Sequence, residues 1–176
     1  MYRQLKHLRL ALAVLGLLVA LAVLLGYAND WLKQSEYVKV NQQLRNLESA
    51  LRWRLAQAII DGDTDALQRL STQNPFMLLE APEHQDYAGL VLSEQWSHFP
   101  VGKWGYDPVR HEIVYRLRHP ELVKKKFPPP DQLRWRIEVQ WVKDRFSARQ
   151  SVKRAHDIRI VVATEFSWQL KNKRIQ

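Results

Sequence analysis

The chain has 176 residues, with 27 Lys and Arg against 18 Asp and Glu, a formal net charge of +9, and no cysteine. That length accommodates an anchor and one small domain but not two comfortable ones. The absence of cysteine excludes disulfides, catalytic thiols, iron–sulfur clusters and thiolate zinc sites, so the core must come from packing, to which seven tryptophans contribute.

The N-terminal segment 1–9 is basic, with Arg3, Lys6 and Arg9 and no acidic residue. An uncharged apolar run follows over 10–28. As a helix it spans about 28 Å, close to the hydrocarbon thickness of a bilayer, and predicts a single transmembrane anchor. The flanking charge places the N-terminus in the cytoplasm and the rest of the chain outside, in the periplasm of a Gram-negative cell. Lys6 and Arg9 on one side, and Tyr27 and Trp31 on the other, are the expected membrane-interface anchors. A cleaved signal peptide is the competing reading, because Gly26-Tyr27-Ala28 offers small residues at the positions a signal peptidase requires. Against it, the run exceeds the about 7 to 15 residues of an ordinary signal core, and helical patterning continues past Ala28.

Over 29–61 the pattern predicts an amphipathic helix continuous with the anchor. Tyr37, Val40, Leu44, Leu47, Leu51 and Leu55 recur at spacings of three and four, with Lys33, Gln42, Arg45, Glu48 and Arg52 opposite. No proline or glycine lies between Tyr27 and Gly62. The stripe has two uses: packing on the chain's own sheet, or pairing with a partner helix, which makes those six residues a candidate partner-helix interface and allows a homo-oligomer. A short helix over 65–70 follows a cap at Asp63 or Thr64, and Asn74-Pro75 breaks it.

The remainder, 62–176, reads as one α+β domain. Residues 76–100 predict an ordered loop with one short turn. Segments 103–106 and 112–118 flank Asp107-Pro108-Val109-Arg110, a hairpin turn with proline at its second position. Leu133, Trp135, Ile137, Val139 and Trp141 alternate with Arg134, Arg136, Glu138 and Gln140, the pattern of a strand with one wet face. A last strand is expected over 158–168, with Ile160, Val162 and Phe166 among its inward candidates. The sum is a long helix, half of it in the membrane, packed on an antiparallel sheet of about four strands.

This order resembles the pilin-like proteins of type IV pili and type II secretion. A narrower set of residues carries a narrower resemblance: Asn74-Pro75, Leu78-Leu79-Glu80-Ala81-Pro82, Asp86-Tyr87-Ala88-Gly89, Gly102-Lys103-Trp104-Gly105-Tyr106-Asp107 and Ile113-Val114-Tyr115-Arg116. Together they are similar to the MSHA (mannose-sensitive haemagglutinin) pilus biogenesis proteins of the F type, best over 74–118. Asn74, Pro75, Tyr87, Gly89, Trp104, Asp107, Tyr115 and Arg116 are the motif positions. The resemblance implies a bacterial inner-membrane protein that serves pilus assembly and adhesion through contacts with assembly-platform proteins or minor pilins. Processed pilins share a cleavage-site glycine, a hydrophobic stretch after it and a glutamate five residues into the mature chain. Here no acidic residue precedes Asp30, which points to a retained anchor and not a fibre subunit. A type II secretion pseudopilin, or a soluble adhesive or DNA-binding module released after Ala28, are the alternatives.

No catalytic signature supports an enzyme. The six histidines form no HExxH or HxH, and GxSxG, Walker and GxGxxG loops are absent. Glu80, Glu83, His84 and Asp86 form an acidic loop whose plain reading is solvated surface. Trp104 and Tyr106, beside Tyr87 and Trp96, are core candidates before they are a sugar platform. Trp135 and its flanking arginines fall on opposite strand faces, which argues against nucleic-acid binding. No cofactor or metal is expected; membrane lipids are expected partners of the anchor.

Overall fold

The computed structural model describes residues 2–79, 86–125, 131–143 and 153–169. Helix α1 runs unbroken from Tyr2–Asp61, 60 residues and about 90 Å. It stops where Gly62, at a φ of 68° that few other residues tolerate, turns the chain. Helix α2, Thr64–Arg69, starts on an Asp63 cap whose carboxylate accepts from the Ala66 amide at 2.8 Å. A 3₁₀ turn over Pro75–Leu78 is capped in the same way by Asn74.

Among the described residues seven strands follow: β1 (Tyr87–Leu90), β2 (Trp104–Asp107), β3 (Glu112–Arg116), β4 (Val123–Lys125), β5 (Gln132–Lys143), β6 (Lys153–Val162) and β7 (Phe166–Trp168). Five form one sheet in the order β1-β2-β3-β5-β6, and β4 pairs with β7 separately. The architecture is α+β, as expected, but the main sheet is mixed and larger than the antiparallel four predicted. β1 joins β2 in parallel from within the segment read as loop. The expected strand over 158–168 divides at 163–165, where the chain leaves β5 and β7 turns to β4.

The core lies between α1 and one face of this sheet. Val40, Leu47, Leu51, Leu55 and Ala58 are buried with Trp104, Ile113, Tyr115, Leu133, Trp135, Ile137 and Ile158. The stripe is therefore occupied by the chain's own sheet: of the six candidate partner-helix residues, Val40, Leu47, Leu51 and Leu55 are buried, and Tyr37 and Leu44 are half-buried. That corrects its use as a partner-helix interface, because an apolar face already out of water gains little from a second partner.

The opposite face is also partly covered. Val91 and Phe99 close over Gly105, where an added Cβ would collide with both, and Val114 is fully buried beside it. Arg134, expected on a wet face, is consequently only 7% exposed. Farther along β5 the irregularity between Gln140 and Trp141 disturbs the alternation, and Trp141 is exposed where the sequence pattern places it inward. Val162, another inward candidate, is exposed, while Ile160 and Phe166 are half-buried.

Side chains of the apolar run are described at Leu12 and from 14 to 27, and all of these are exposed. Counted over the described residues alone, no helix is long and apolar enough to cross a membrane.

Candidate functional site

Of the residues singled out in the sequence, Trp104 and Tyr115 lie where α1 meets the sheet, whereas Asp107 and Arg116 belong to its other face. Glu36 occupies a stripe position one turn before Val40 and is 5% exposed. A carboxylate placed there must find donors or forfeit its hydration. It accepts from the Tyr115 hydroxyl at 3.0 Å and from the backbone amides of Arg118 and His119 at 2.7 and 3.1 Å. Burial, then the nearby Glu36 charge, pushes the Tyr115 phenol far above its ordinary range, so it stays a donor at any physiological pH. Glu36 thus ties α1 to the segment after β3.

A second tie sits beside it. Asp86 lies between Lys103 Nζ at 2.8 Å and Lys39 Nζ at 3.2 Å, joining α1 to the start of β1 and β2. The Lys103 hydrogen bond is the largest influence holding the Asp86 carboxyl below its usual range. Tyr37 meets the ring of Trp168 edge-on, centroids 5.1 Å apart, which docks the small β4–β7 sheet on the same stretch of helix.

The motif positions are structural nodes. Asn74 Nδ2 donates to the Tyr87 hydroxyl at 2.7 Å, and Phe76 stacks on the Tyr87 ring at 4.4 Å. Pro75 opens the 3₁₀ turn, and Gly89 takes a φ of 110° inside β1. Trp104 lies among Phe76, Tyr115 and Trp135. The carboxylate of Asp107 accepts from the amides of Val109 and Arg110, both at 3.0 Å, which shapes the β2–β3 turn. Its other oxygen accepts from Arg134 at 2.9 Å, while Arg134 also pairs with Glu112 at 2.7 Å. Burial would raise the Asp107 pKa, but the Arg134 and backbone donors outweigh it and hold it low. Arg116 pairs with Asp131 at 2.9 Å, lies over the Trp96 ring and donates to the carbonyls of Trp96, Ser97 and Phe99, clamping the segment that covers the sheet's second face.

Trp104 and Tyr106 are buried, and the Tyr106 hydroxyl, raised to about 12 chiefly by burial, donates to the Thr72 carbonyl. Among the described residues no cluster of three or more His, Asp or Glu could hold a metal. Glu80, Glu83 and His84 of the acidic loop lie outside the described residues.

Against protein-family models, curated proteins and solved structures the chain has no match. Its surface is the remaining guide. Tyr27 and Trp31, one turn apart, are both exposed; Lys6 and Arg9 lie on α1 with their side chains outside the described residues. Beyond Trp31 the outer side of α1 carries Val38, Trp53 and Ile60, with Trp53 71% exposed. At 100° per residue these fall on the side opposite Val40 and Leu47. Sequence periodicity missed this weaker stripe because Gln42, Arg45 and Ser49 interrupt it. An open groove of about 310 Å³ runs between α1 and β6, lined by Tyr37, Val38, Asn41, Leu44, Arg45, Glu48 and Ile160. Glu36 was legible in principle, as the acid at a stripe position.

Proposed function

We propose that this protein is a single-pass inner-membrane component of pilus biogenesis, of the MSHA F type that residues 74–118 resemble, and that it works by protein contacts and not by catalysis. The observation that carries the reading is the continuity of α1. One helix passes without a break from an uncharged run, exposed at each described position, into a half that is buried on the sheet. Ten exposed Leu and Val side chains between Leu12 and Leu25 are untenable in water and ordinary in lipid. The complete run 10–28 is uncharged, and the basic residues before it favour a cytoplasmic N-terminus.

With the inner stripe occupied, contact with assembly proteins or minor pilins falls to the outer side of α1, through Trp31, Val38, Trp53 and Ile60. Partners anchored in the same membrane would meet that side as parallel helices. The absence of acid in the run supports a retained platform component over a fibre subunit.

Deleting the gene in a piliated host tests the role. Loss of surface fibres and of adhesion, restored by the intact chain but not by one lacking residues 1–28, is the expected result. Normal piliation and adhesion would defeat the proposal; loss of secretion with intact fibres would favour the type II secretion reading.

A further inference from the structure

We infer that the end of the domain nearest the anchor is a docking surface for anionic lipid head groups, built by Lys39, Lys103, Arg118 and Lys124. The inference rests on the membrane anchor proposed above and adds a lipid-binding surface to it.

Height along α1 makes the first part of the case. Glu36 lies eight residues past Ala28, about 12 Å beyond the end of the apolar run. The head-group layer extends about 5 to 8 Å beyond the hydrocarbon on each side. Because Glu36 binds the amides of Arg118 and His119, the segment carrying Arg118 is fixed at the height of Glu36, a few ångströms above that layer. An ordinary helix tilt of about 20° lowers one side of the domain further. The Arg118 side chain lies over Gly102, where any Cβ would meet it, next to Lys103. Lys124 follows Val123, which pairs with Trp168 against Tyr37, again at this level of the helix.

Charge makes the second part. Three carboxylates here have partners within the domain. Glu36 is buried under three donors, Asp86 is shared by Lys39 and Lys103, and Glu121 lies 3.4 Å from His119 Nδ1. Among the described residues Arg118 and Lys124 have no carboxylate partner, and both are exposed. Exposed cations at this height are drawn to a negative surface, whose field is confined to about a Debye length. Docking would hold α1 at a defined tilt and present its outer side at a fixed height to neighbouring helices.

The chain has no cysteine, so single-site labels can be placed cleanly. The whole protein, assembled in nanodiscs, would carry a fluorophore at Glu121→Cys or, as a distal control, at Thr64→Cys, and the lipid would include a head-group nitroxide quencher. In phosphatidylcholine with phosphatidylglycerol, the label at 121 should be quenched and the label at 64 should not. Arg118→Gln and Lys124→Gln should each shift the docked-to-free ratio about five-fold toward free. Salt of about 1 M should reproduce the loss, and pure phosphatidylcholine should show little quenching. Quenching at 121 that is absent from the anionic discs, or indifferent to lipid charge and to both substitutions, would overturn the inference while leaving the anchor intact. Failure of the chain to co-elute with nanodiscs would overturn the anchor and the docking surface together.

Discussion

Replacing Glu36 with alanine should cost the domain about 3 to 5 kcal/mol. Its carboxylate accepts from the Tyr115 hydroxyl and from two main-chain amides, at 2.7 to 3.1 Å, in a site only 5% exposed. Each buried donor left without an acceptor costs about 1 to 3 kcal/mol, and the amides of the exposed Arg118 and half-buried His119 recover part of theirs from water. Glu36→Gln keeps one oxygen but turns an NH2 group toward a donor, so about 1 to 2 kcal/mol is expected. Urea unfolding of the full chain in micelles, followed by tryptophan fluorescence, reads both. At an m-value of about 1.5 kcal/mol/M the alanine midpoint falls by about 2 to 3 M. A Tyr115→Phe partner closes a double-mutant cycle, with a coupling of about 1 kcal/mol expected. An alanine midpoint within about 0.3 M of the parent would refute the idea that Glu36 fastens helix to sheet.

Leu51→Ala, at a fully buried position facing the sheet, should cost about 2 to 5 kcal/mol, whereas Trp53→Ala, on the exposed side, should leave the urea midpoint nearly unchanged; equal losses would contradict the assignment of faces. The Asp107 carboxyl is held below its ordinary value, so its contribution is present above about pH 4 and is lost as pH falls through the lowered value. An Asp107→Asn variant should therefore be weaker at pH 7 and show a flatter acid limb below pH 4; an unchanged slope would disconnect that carboxyl from stability. Gly105→Ala drives a methyl into Val91 and Phe99 and should cost about 1 to 3 kcal/mol, measured by the same unfolding assay.

What could be read from sequence was mostly local. The three-and-four spacing gave α1 its inner face, Asp63 capped α2, and Asp107-Pro108 marked the turn between β2 and β3, all features settled within a few residues. The strand at 133–142 was legible through alternation, and β5 covers it. β1 was not, because four residues that include Gly89 carry too little pattern to separate a parallel edge strand from loop. The burial of Arg134 was hidden for another reason. It depends on the segment around Val91 and Phe99 folding back over the sheet, and on Asp107 and Glu112 converging from β2 and β3. The site shows the same division: Asn74, Pro75 and Asp107 act partly within their own turns, whereas the ties from Glu36 to Tyr115 and from Lys39 to Asp86 join residues 79 and 47 positions apart.

The central claim is that residues 10–28 remain on the protein as its anchor. The mass of the mature chain, measured on membrane and soluble fractions of cells making the native protein, tests it most directly. An N-terminus upstream of the apolar run, recovered with membranes and resistant to alkaline extraction, is the predicted result. A chain beginning at Asn29 in the soluble fraction would contradict it.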